Sequence, residues 1–263
     1  MELDPAVAAA GVRLIVLETV GSTNAEALAR ADAGDGGPLW ITARRQTAGR
    51  GRGGRPWVSE PGNLYATLLL CDASPAANAP ELSFVSALAL HDALTELAPA
   101  LGPRLRFKWP NDLLVDRAKI AGILVEGEAG PRGFATAIGI GVNCARHPSD
   151  AAYASTDLGA VGVELSPAAV FRALSVAMGR RLQQWDRGAG FAAIRHDWLA
   201  RAGGIGELVR VRIGDDHLEG IFSAIDPTGR LLLAVSDGTT RVIGAGEVVP
   251  RPAEPPRLGH GVQ

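Results

Sequence analysis

A chain of 263 residues, 47% of them apolar, can bury a full hydrophobic core and can form one large domain with a small one beside it. The formal net charge of −2 gives no overall attraction to nucleic acid, so any attraction to polyanions must be local. The acidic N-terminus lacks the basic residues of a signal peptide, and no apolar run is long enough to cross a bilayer, so we expect a cytoplasmic protein.

The N-terminal part of the chain predicts strands and one helix. Residues 12–17 form a β-rich run. Thr23, followed three positions later by Glu26, fits a capping box, so a helix is predicted to begin there. Residues 39–43 and 64–70 are predicted strands, and they flank a segment of unusual composition.

That segment, residues 44–57 with the sequence RRQTAGRGRGGRPW, carries five arginines and four glycines and is here termed the arginine loop. Glycine lets a ligand approach the backbone, and guanidinium groups bind phosphate or carboxylate oxygens, so the composition predicts an anion-binding loop. A solvated loop or an RGG-type nucleic-acid tail is the alternative. The flanking strands argue against a tail because they hold the loop at both ends.

The middle of the chain predicts a helix followed by a series of strands. Apolar residues at helical spacing over 82–97 indicate an amphipathic helix packed on the sheet. Residues 105–115 and 119–126 are predicted to form a hairpin, with Lys119 at the start of the returning strand. A further predicted strand, 135–142, contains glycines that permit a group to lie directly against the backbone.

The C-terminal part of the chain has a different sequence pattern. The segment 146–165 lacks a steady periodicity and is predicted to be a mobile loop, and helices are predicted over 166–186 and 191–202. After Gly203 and Gly204, short alternating runs separated by Gly/Asp turns indicate a small β-barrel or sandwich with its own core.

These boundaries predict two domains. Residues 1–204 form the larger one, 205–252 form the small β-domain, and the proline-rich residues 253–263 form an unstructured tail. Cys71 and Cys144 lie far apart without a metal-type spacing, so we expect free thiols and no metal site of their making.

Four motifs occur in order: GRGRGG at 49–54, KWPND at 108–112, KIAGILVE at 119–126 and GIGVN at 139–143. With these motifs and the small β-domain after them, the chain resembles the biotin protein ligases over essentially its whole length. The resemblance implies an α+β fold with a mixed-sheet catalytic domain, related to class II aminoacyl-tRNA synthetases and lipoate ligases. It also implies that the C-terminal domain is an SH3-like β-barrel.

The resemblance further implies a two-step reaction. Biotin and ATP, with Mg²⁺, give biotinyl-5′-AMP and pyrophosphate, and a lysine of a biotin carboxyl carrier protein then accepts the biotinyl group. Some family members carry an N-terminal winged helix-turn-helix domain and act as repressors. Here the motifs begin close to Met1, so we expect a monofunctional ligase, monomeric or homodimeric, that binds neither nucleic acid nor membrane.

The positions that bind biotin are carried over from the family motifs. They are Ser22, Thr23, Asn24 and Gln46, and the segment that closes on biotin contains Gly49, Arg50, Gly51 and Arg52. Hydroxyl and amide side chains suit the two donors and one acceptor of the ureido ring of biotin.

The resemblance places the remaining positions around the nucleotide. Lys119 matches the lysine close to the biotin carboxylate and the adenylate phosphate, and Trp57 matches an aromatic residue that covers the adenine. Gly122 and Gly139 match small residues on which the ligand rests. The positions grouped around the phosphates and the metal are Arg55, Lys108, Asn111 and Asn143.

The reaction requires positive charge, because a carboxylate must attack the anionic α-phosphate of ATP. Lys119, Arg50 and Arg52 are the predicted catalytic charges, and no side-chain nucleophile is needed. Asp112 is a candidate for orienting the acceptor lysine. Cys144, although it follows the GIGVN motif, is not expected to act as a nucleophile.

Two other functions fit parts of the pattern. A lipoate ligase would use the related fold, but the complete GRGRGG loop and the small β-domain disfavour it. A nucleic-acid-binding module would use the arginine loop, but the net negative charge and the few aromatic residues disfavour it. At single positions, a surface charge is the alternative for Lys108, and Trp109 is expected to be a core aromatic.

Overall fold

The computed structural model describes residues 1–149 and 153–249. It contains a seven-stranded mixed sheet with helices on both faces and a five-stranded antiparallel sheet at the C-terminus, so the predicted α+β class is confirmed. The predicted unstructured tail, 253–263, lies outside the described residues. No helix in the described part of the chain is long and apolar enough to span a bilayer.

The helices and strands follow the predicted order. The helices are α1 (Pro5–Ala9), α2 (Thr23–Asp32), α3 (Leu82–Leu97), α4 (Pro167–Trp185) and α5 (Phe191–Leu199). The large sheet contains β1 (Arg13–Val20), β2 (Leu39–Gln46), β3 (Leu64–Cys71), β4 (Leu105–Lys108), β5 (Asp112–Val115), β6 (Ala118–Gly130) and β7 (Gly133–Val142). The small sheet contains β8 (Leu208–Ile213), β9 (Asp216–Ile225), β10 (Leu231–Ala234), β11 (Thr240–Ile243) and β12 (Glu247–Val249). Helix α1 and strand β12 were not predicted, because neither is long enough to show a period.

The large sheet has the strand order β1-β2-β3-β7-β6-β5-β4. Strands β1 and β2 pair in parallel, since α2 returns the chain to the end of the sheet from which β1 started, and the other neighbours pair antiparallel. The order brings β7 and β6, which carry the GIGVN and KIAGILVE motifs, beside β3 in the centre of the sheet.

Alternate residues of the strands face two different layers of helices. On β2, Leu39 and Ile41 pack with Ala27 of α2, whereas Trp40 points to the opposite face and contacts Phe171 of α4 edge to face. The sheet is therefore buried on both faces here, which explains why residues 39–43 of β2 and 64–70 of β3 are mostly apolar.

Helix α3 has the predicted bounds but not the predicted amphipathic character. All residues of 84–91 are buried, because the sheet covers one side of the helix while α4 and α5 cover the other. Ser86, in the middle of this run, satisfies its hydroxyl by donating to the carbonyl of Leu82 at 2.6 Å. Helical spacing therefore predicted the element but not how completely it is covered.

The small sheet has the strand order β11-β10-β9-β8-β12, and it does not have a core of its own. The expectation of a separate core was wrong, because Val211 and Phe222 belong to the same cluster of buried apolar side chains as α3. Trp109, which is 2% exposed and confirmed as a core residue, donates its indole N–H to the carbonyl of Gly229 at 3.1 Å. The two sheets are thus joined by packing as well as by the chain.

Candidate active site

Ten of the sixteen predicted ligand-binding residues line one small pocket, the inner pocket, between the start of α2, the end of β2, strands β6 and β7, and the arginine loop. They are Ser22, Thr23, Asn24, Gln46, Arg50, Gly51, Trp57, Asn111, Gly122 and Gly139. Its cavity volume is about 50 Å³. The arginine loop contributes Arg50, Gly51 and Trp57 to the walls of this pocket.

The start of α2 differs from the predicted capping box. Ser22, not Thr23, is the N-cap, and its hydroxyl accepts from the N–H of Ala25 at 3.5 Å. Glu26 pairs with Arg30 at 2.7 Å instead of returning to the cap. The hydroxyl of Thr23 is not used in the cap and lies instead beside Gln46 and Thr67.

A continuous series of hydrogen bonds lies beneath the inner pocket. The N–H and hydroxyl of Thr23 lie 2.8 and 3.0 Å from Oε1 of Gln46. Gln46 in turn donates from Nε2 to the hydroxyl of Ser59 at 2.9 Å, and Ser59 donates to the carbonyl of Trp57 at 2.8 Å. These contacts tie the end of β2 to the C-terminal end of the arginine loop.

The same series continues across the sheet. The hydroxyl of Thr67 lies 2.8 Å from that of Thr23 and 2.7 Å from Oδ1 of Asn24. Nδ2 of Asn24 donates to Oε2 of Glu126 at 2.8 Å and to the carbonyl of Leu124 at 3.2 Å. We call the series from Glu126 through Asn24, Thr67, Thr23 and Gln46 to Ser59 the hydrogen-bond chain. Neither Thr67 nor Glu126 was predicted from the sequence.

The glycines of β6 and β7 leave room for groups of this chain, as well as for a ligand. A Cβ added to Gly139 would lie 2.4 Å from Oδ1 of Asn24. A Cβ added to Gly141 would lie 2.7 Å from the indole of Trp57, and one on Gly122 would lie 3.1 Å from the same ring. The amide of Asn24 and the indole of Trp57 therefore rest directly on the sheet, where the family resemblance placed a ligand.

Backbone hydrogen bonds within the arginine loop stabilise its conformation. The N–H of Gly51 donates to the carbonyl of Arg55 at 2.7 Å, and that of Trp57 donates to the carbonyl of Gly49 at 2.9 Å. Between them, Gly53 and Gly54 have φ values of +65° and +72°, a conformation that side chains with a Cβ rarely adopt. Glycine is required here by the turn.

Each of the last three arginines of the loop has a different partner. Arg50 Nη2 lies 3.5 Å from Oε1 of Glu126. Arg52 donates to the carbonyl of Gly246 at 2.9 Å, and Arg55 binds both carboxylate oxygens of Glu247, at 2.9 and 3.0 Å. The predicted phosphate ligands Arg52 and Arg55 thus contact the start of β12 in the small sheet, which the sequence did not indicate.

Burial and neighbouring charges shift the pKa values of these groups. Burial lowers the pKa of Arg52, and the nearby Arg55 lowers it further, against the opposing effect of Asp112 and Glu247. Burial alone would raise the pKa of Glu247, but the hydrogen bond from Arg55 and the charge of Lys108 bring it below its ordinary value. The Glu247 carboxylate is therefore held in its charged form.

A cluster of opposite charges surrounds Lys119. Lys119 Nζ lies 2.6 Å from Oδ1 of Asp112, and Lys108 Nζ lies 3.6 Å from Oδ2 of Asp112 and 3.8 Å from Glu247. The side chains of Lys119, Lys108 and Asp112 are 12%, 15% and 7% exposed, so Lys108 is not a surface charge. The charges predicted to bind phosphate are neutralised by carboxylates of the chain itself.

A second cavity, the outer pocket, opens beside Lys119 and has a volume of about 420 Å³. Its walls include Trp57, Val58, Asn143 and Tyr153. Lys119 Nζ lies 5.1 Å from the ring centre of Trp57 and 5.0 Å from that of Tyr153, which is within the range of cation–π contact. The outer pocket is therefore bordered by two aromatic rings and a cation.

The two predicted asparagines have structural partners. Asn111 donates to the carbonyl of Ile123 at 2.5 Å, and Asn143 donates to the carbonyl of Thr156 at 3.0 Å. Asn143 therefore fixes the part of the predicted loop that follows residue 152. Of the segment 146–165, residues 150–152 lie outside the described residues.

Neither a metal cage nor a reactive thiol is found in the described part of the chain. No group of three or more His, Cys, Asp or Glu side chains within residues 1–149 and 153–249 could hold a metal ion. Burial raises the pKa of Cys144 to about 12, so its thiol is protonated near neutral pH and is a poor nucleophile. Cys71 is also a free thiol.

Five residues of the site were not singled out by sequence reasoning. They are Ser59, Thr67, Glu126, Tyr153 and Glu247. A polar residue in an apolar strand was the signal for Thr67, and the last residue of KIAGILVE was the signal for Glu126. Glu247 lies in a three-residue strand and had no signal.

Comparison with known proteins agrees with the geometry. The model of the Biotin/lipoate A/B protein ligase family matches residues 30–143, and the model of the Biotin protein ligase C terminal domain matches residues 204–251. The chain is 44% identical over 240 residues to the biotin–[acetyl-CoA-carboxylase] ligase of Paracoccus denitrificans, a match that covers 89% of this chain and 98% of that protein. It is 32% identical over 244 residues to the bifunctional ligase/repressor BirA of Bacillus subtilis, covering 89% of this chain and 73% of that protein.

A solved structure gives the same result. The biotin protein ligase from Aquifex aeolicus in complex with biotin and ATP superposes with a TM-score of 0.75 at 26% identity, covering 90% of this chain and 97% of that one. The resemblance inferred from the four motifs is thereby confirmed. The chain belongs to the biotin protein ligase family.

Proposed function

We propose that this chain is an ATP-dependent ligase that forms biotinyl-5′-AMP and transfers biotin to a lysine of a biotin carboxyl carrier protein. One observation carries the proposal: a polar inner pocket and an aromatic outer pocket meet at Trp57, which lines both, with Lys119 beside it. Two substrates placed in adjoining pockets can react across the shared wall.

In this proposal biotin occupies the inner pocket. The hydroxyl of Thr23 and the amide of Gln46 are available to the donors and acceptor of the ureido ring, while Ile123 and Ile140 supply apolar walls. Lipoate, which has a dithiolane ring, would leave these buried polar groups unpaired, and such sites reject analogues that lack the matching groups. The inner pocket therefore favours biotin over lipoate.

ATP is placed in the outer pocket, with its adenine between Trp57 and Tyr153 and its phosphates towards Lys119. Asn143 lies on the wall of this pocket, and Lys108, Arg52 and Arg55 lie in the charged border. In the free chain Asp112 and Glu247 neutralise these cations, so phosphate oxygens have to replace the carboxylates when the nucleotide binds. Asp112, once released from Lys119, is then available to orient the ammonium group of the acceptor lysine.

In the adenylation step the site supplies positive charge and aligns the two reacting groups. Lys119, Arg50 and Arg52 offset the repulsion between the biotin carboxylate and the α-phosphate, and the closed loop keeps water from the reactive anhydride. Mg²⁺ would reach the site with the triphosphate, because it usually binds through phosphates, waters and one or two carboxylates rather than through a protein cage. Asp112 and Glu247, which both lie beside Lys108, are the carboxylates that would hold the ion.

We retain three further proposals. Residues 1–204 act as the biotin- and ATP-binding domain, and residues 205–252 act as a domain that supports the arginine loop. The enzyme works in the cytoplasm as a monomer or homodimer, where free thiols such as Cys71 persist. It binds no nucleic acid, since the net charge of −2 gives no overall attraction and aromatic residues for stacking on bases make up only 5% of the chain.

The test is incubation of the chain with biotin, MgATP and an isolated biotin carboxyl carrier domain, followed by mass measurement of the carrier. A parallel incubation contains an equimolar mixture of biotin and lipoate. We expect the mass of one biotinyl group to be added when all three are present. Omission of ATP, or replacement of the acceptor lysine by arginine, is expected to abolish the addition. A carrier that gains lipoyl instead of biotinyl would favour the lipoate alternative, and no addition of either would refute the proposal.

A further inference from the structure

We propose that Glu126 is a positioning residue whose carboxylate fixes the direction of the hydrogen-bond chain, so that the inner pocket offers acceptors to the N–H groups of the ligand. This inference rests on the proposed placement of biotin in the inner pocket. Glu126 is the charged group in the hydrogen-bond chain, and the neighbouring Asn24, Thr67 and Thr23 are 3%, 0% and 4% exposed. In such buried networks each donor needs an acceptor.

The direction follows from the number of hydrogens. A carboxylate only accepts, so Asn24 has to present Nδ2 to Glu126, and its second hydrogen goes to the carbonyl of Leu124. Oδ1 of Asn24 therefore faces Thr67 and accepts its hydroxyl hydrogen at 2.7 Å. Gly139, which has no Cβ, is what lets the amide lie in this position.

The same order of donors and acceptors continues through the remaining hydrogen bonds to the inner pocket. Thr67 has given up its one hydrogen, so its oxygen can only accept from the hydroxyl of Thr23, 2.8 Å away. Oε1 of Gln46 is then left to accept from the backbone N–H of Thr23 at 2.8 Å, and it keeps a lone pair. Lone pairs of Gln46 and Thr23, which both line the inner pocket, are thus available to the donors of a ureido ring.

Replacing the carboxylate by an amide weakens this constraint, because the longer hydrogen bond to the carbonyl of Leu124, at 3.2 Å, then holds the amide of Asn24 without help from a charge. In Glu126→Gln the new side chain can donate as well as accept, so a second arrangement becomes accessible in which the amide of Asn24 turns over and presents Nδ2 to Thr67. Thr67 would then donate to Thr23, and Thr23 would donate to Oε1 of Gln46, 3.0 Å away. The acceptors would be consumed within the protein, and the ligand N–H groups would lose their partners.

The experiment measures steady-state kinetics of carrier biotinylation for the full chain and three variants. Glu126→Gln is expected to raise the KM for biotin at least tenfold, with a much smaller change in kcat, and to leave the inhibition constant of lipoate unchanged because lipoate has no N–H. Glu126→Asp, which keeps an acceptor-only group, is expected to recover most of the affinity for biotin. Glu128→Gln is the matched control, since Glu128 is exposed two residues further along β6.

A fourth variant separates the hydrogen-bond chain from the ion pair between Glu126 and Arg50, which lies at 3.5 Å. Thr67→Val interrupts the chain without touching either charge, and we expect it to raise the KM for biotin in the same direction. The proposal is overturned if Thr67→Val binds biotin as the parent does, or if Glu126→Gln and Glu128→Gln behave alike. Activity of the parent on biotin is measured in the same assay, so failure of this inference is distinct from failure of the proposed function.

Discussion

The floor of the inner pocket and the charged border of the outer pocket are built in opposite ways. The floor consists of neutral side chains on the central strands and the start of α2, and apart from Glu126 it carries no charge. The border consists of arginines, lysines and carboxylates, and several of these lie on the arginine loop and on β12. One region is part of the sheet, whereas the other is assembled from segments distant in the chain.

The two regions suit the recognition of two different kinds of chemical group. A neutral ring is recognised by hydrogen bonds whose geometry is set before the ligand arrives, and the packed sheet supplies that rigidity. Phosphates are recognised by cations, and in the absence of a ligand those cations need counter-charges, which the chain supplies from Asp112, Glu126 and Glu247. Ligand binding should therefore leave the floor nearly unchanged and exchange the partners of the border.

The largest effect is expected at Lys119, the centre of the border. Lys119→Ala removes a positioned charge from a phosphoryl-type transition state, and adenylate formation should fall by on the order of 10²-fold. Folding should be affected less, because Lys108 remains 3.6 Å from the buried carboxylate of Asp112. Pyrophosphate release measures the first effect, and thermal unfolding measures the second.

Arg44→Ala is the control for this change. Arg44 lies at the start of the arginine loop, where it forms an ion pair with Glu18 in which both side chains are more than half exposed. We expect its pyrophosphate release to match the parent. If Lys119→Ala also releases pyrophosphate at the parental rate, the charged border does not act in catalysis. The proposed difference between the floor and the border would then be wrong.

A smaller effect is expected at Gly139, in the floor. The Cβ of Gly139→Ala would lie 2.4 Å from Oδ1 of Asn24 and would displace the amide from the sheet. We expect a Kd for biotin raised by roughly tenfold and a loss of about 1–3 kcal/mol in unfolding free energy, as for other overpacked sites. Isothermal titration with biotin and urea unfolding measure the two quantities.

Gly130→Ala is the matched control on β6, because its nearest neighbour would be an ordinary contact at 3.7 Å. It should bind biotin as the parent does. The outcome that would contradict a rigid floor is full biotin affinity in Gly139→Ala, since Asn24 would then have moved without consequence.

The smallest effect is expected where the border meets the small sheet. Glu247→Gln removes the charge that holds Arg55. The Arg55 side chain is 47% exposed, and ion pairs with so exposed a partner contribute about 1 kcal/mol. Hydrogen exchange at the amides of Gly51 and Trp57 should become up to about fivefold faster without ligand. Exchange that stays at the parental rate would show that the loop does not depend on Glu247.

The same contact predicts a dependence on pH. Because the pKa of Glu247 is lowered in the folded chain, its stabilisation is fully present above the ordinary glutamate pKa of about 4.3 and is lost as the pH falls through the lowered value. Loop protection, corrected for intrinsic exchange, should thus be constant from neutral pH to about pH 5 and should decline below pH 4. A decline already complete at pH 6 would assign the protection to another group.

Much of the fold could be predicted from local pattern. The bounds of α3 and the strands around the arginine loop follow from apolar spacing, and the four motifs were sufficient to indicate the family. The capping box at Thr23 was predicted wrongly, because Ser22 and Thr23 are both good caps and only the contact with Gln46 decides between them. The residue types predicted the start of the helix correctly, but two adjacent residues fitted the cap equally well.

The sequence by itself determined which of the longer helices and strands form, the glycine-rich turn and the clustering of arginines beside it, because each depends on neighbours within a few residues. The tertiary structure alone decided the partners: Glu126 for Asn24, Asp112 for Lys119, and Glu247 for Arg55. Arg55 and Glu247 are separated by 192 positions, and no periodicity relates them. Such contacts arise only when packing of the two sheets brings distant segments together, since hydrogen bonds and ion pairs act over a few ångströms.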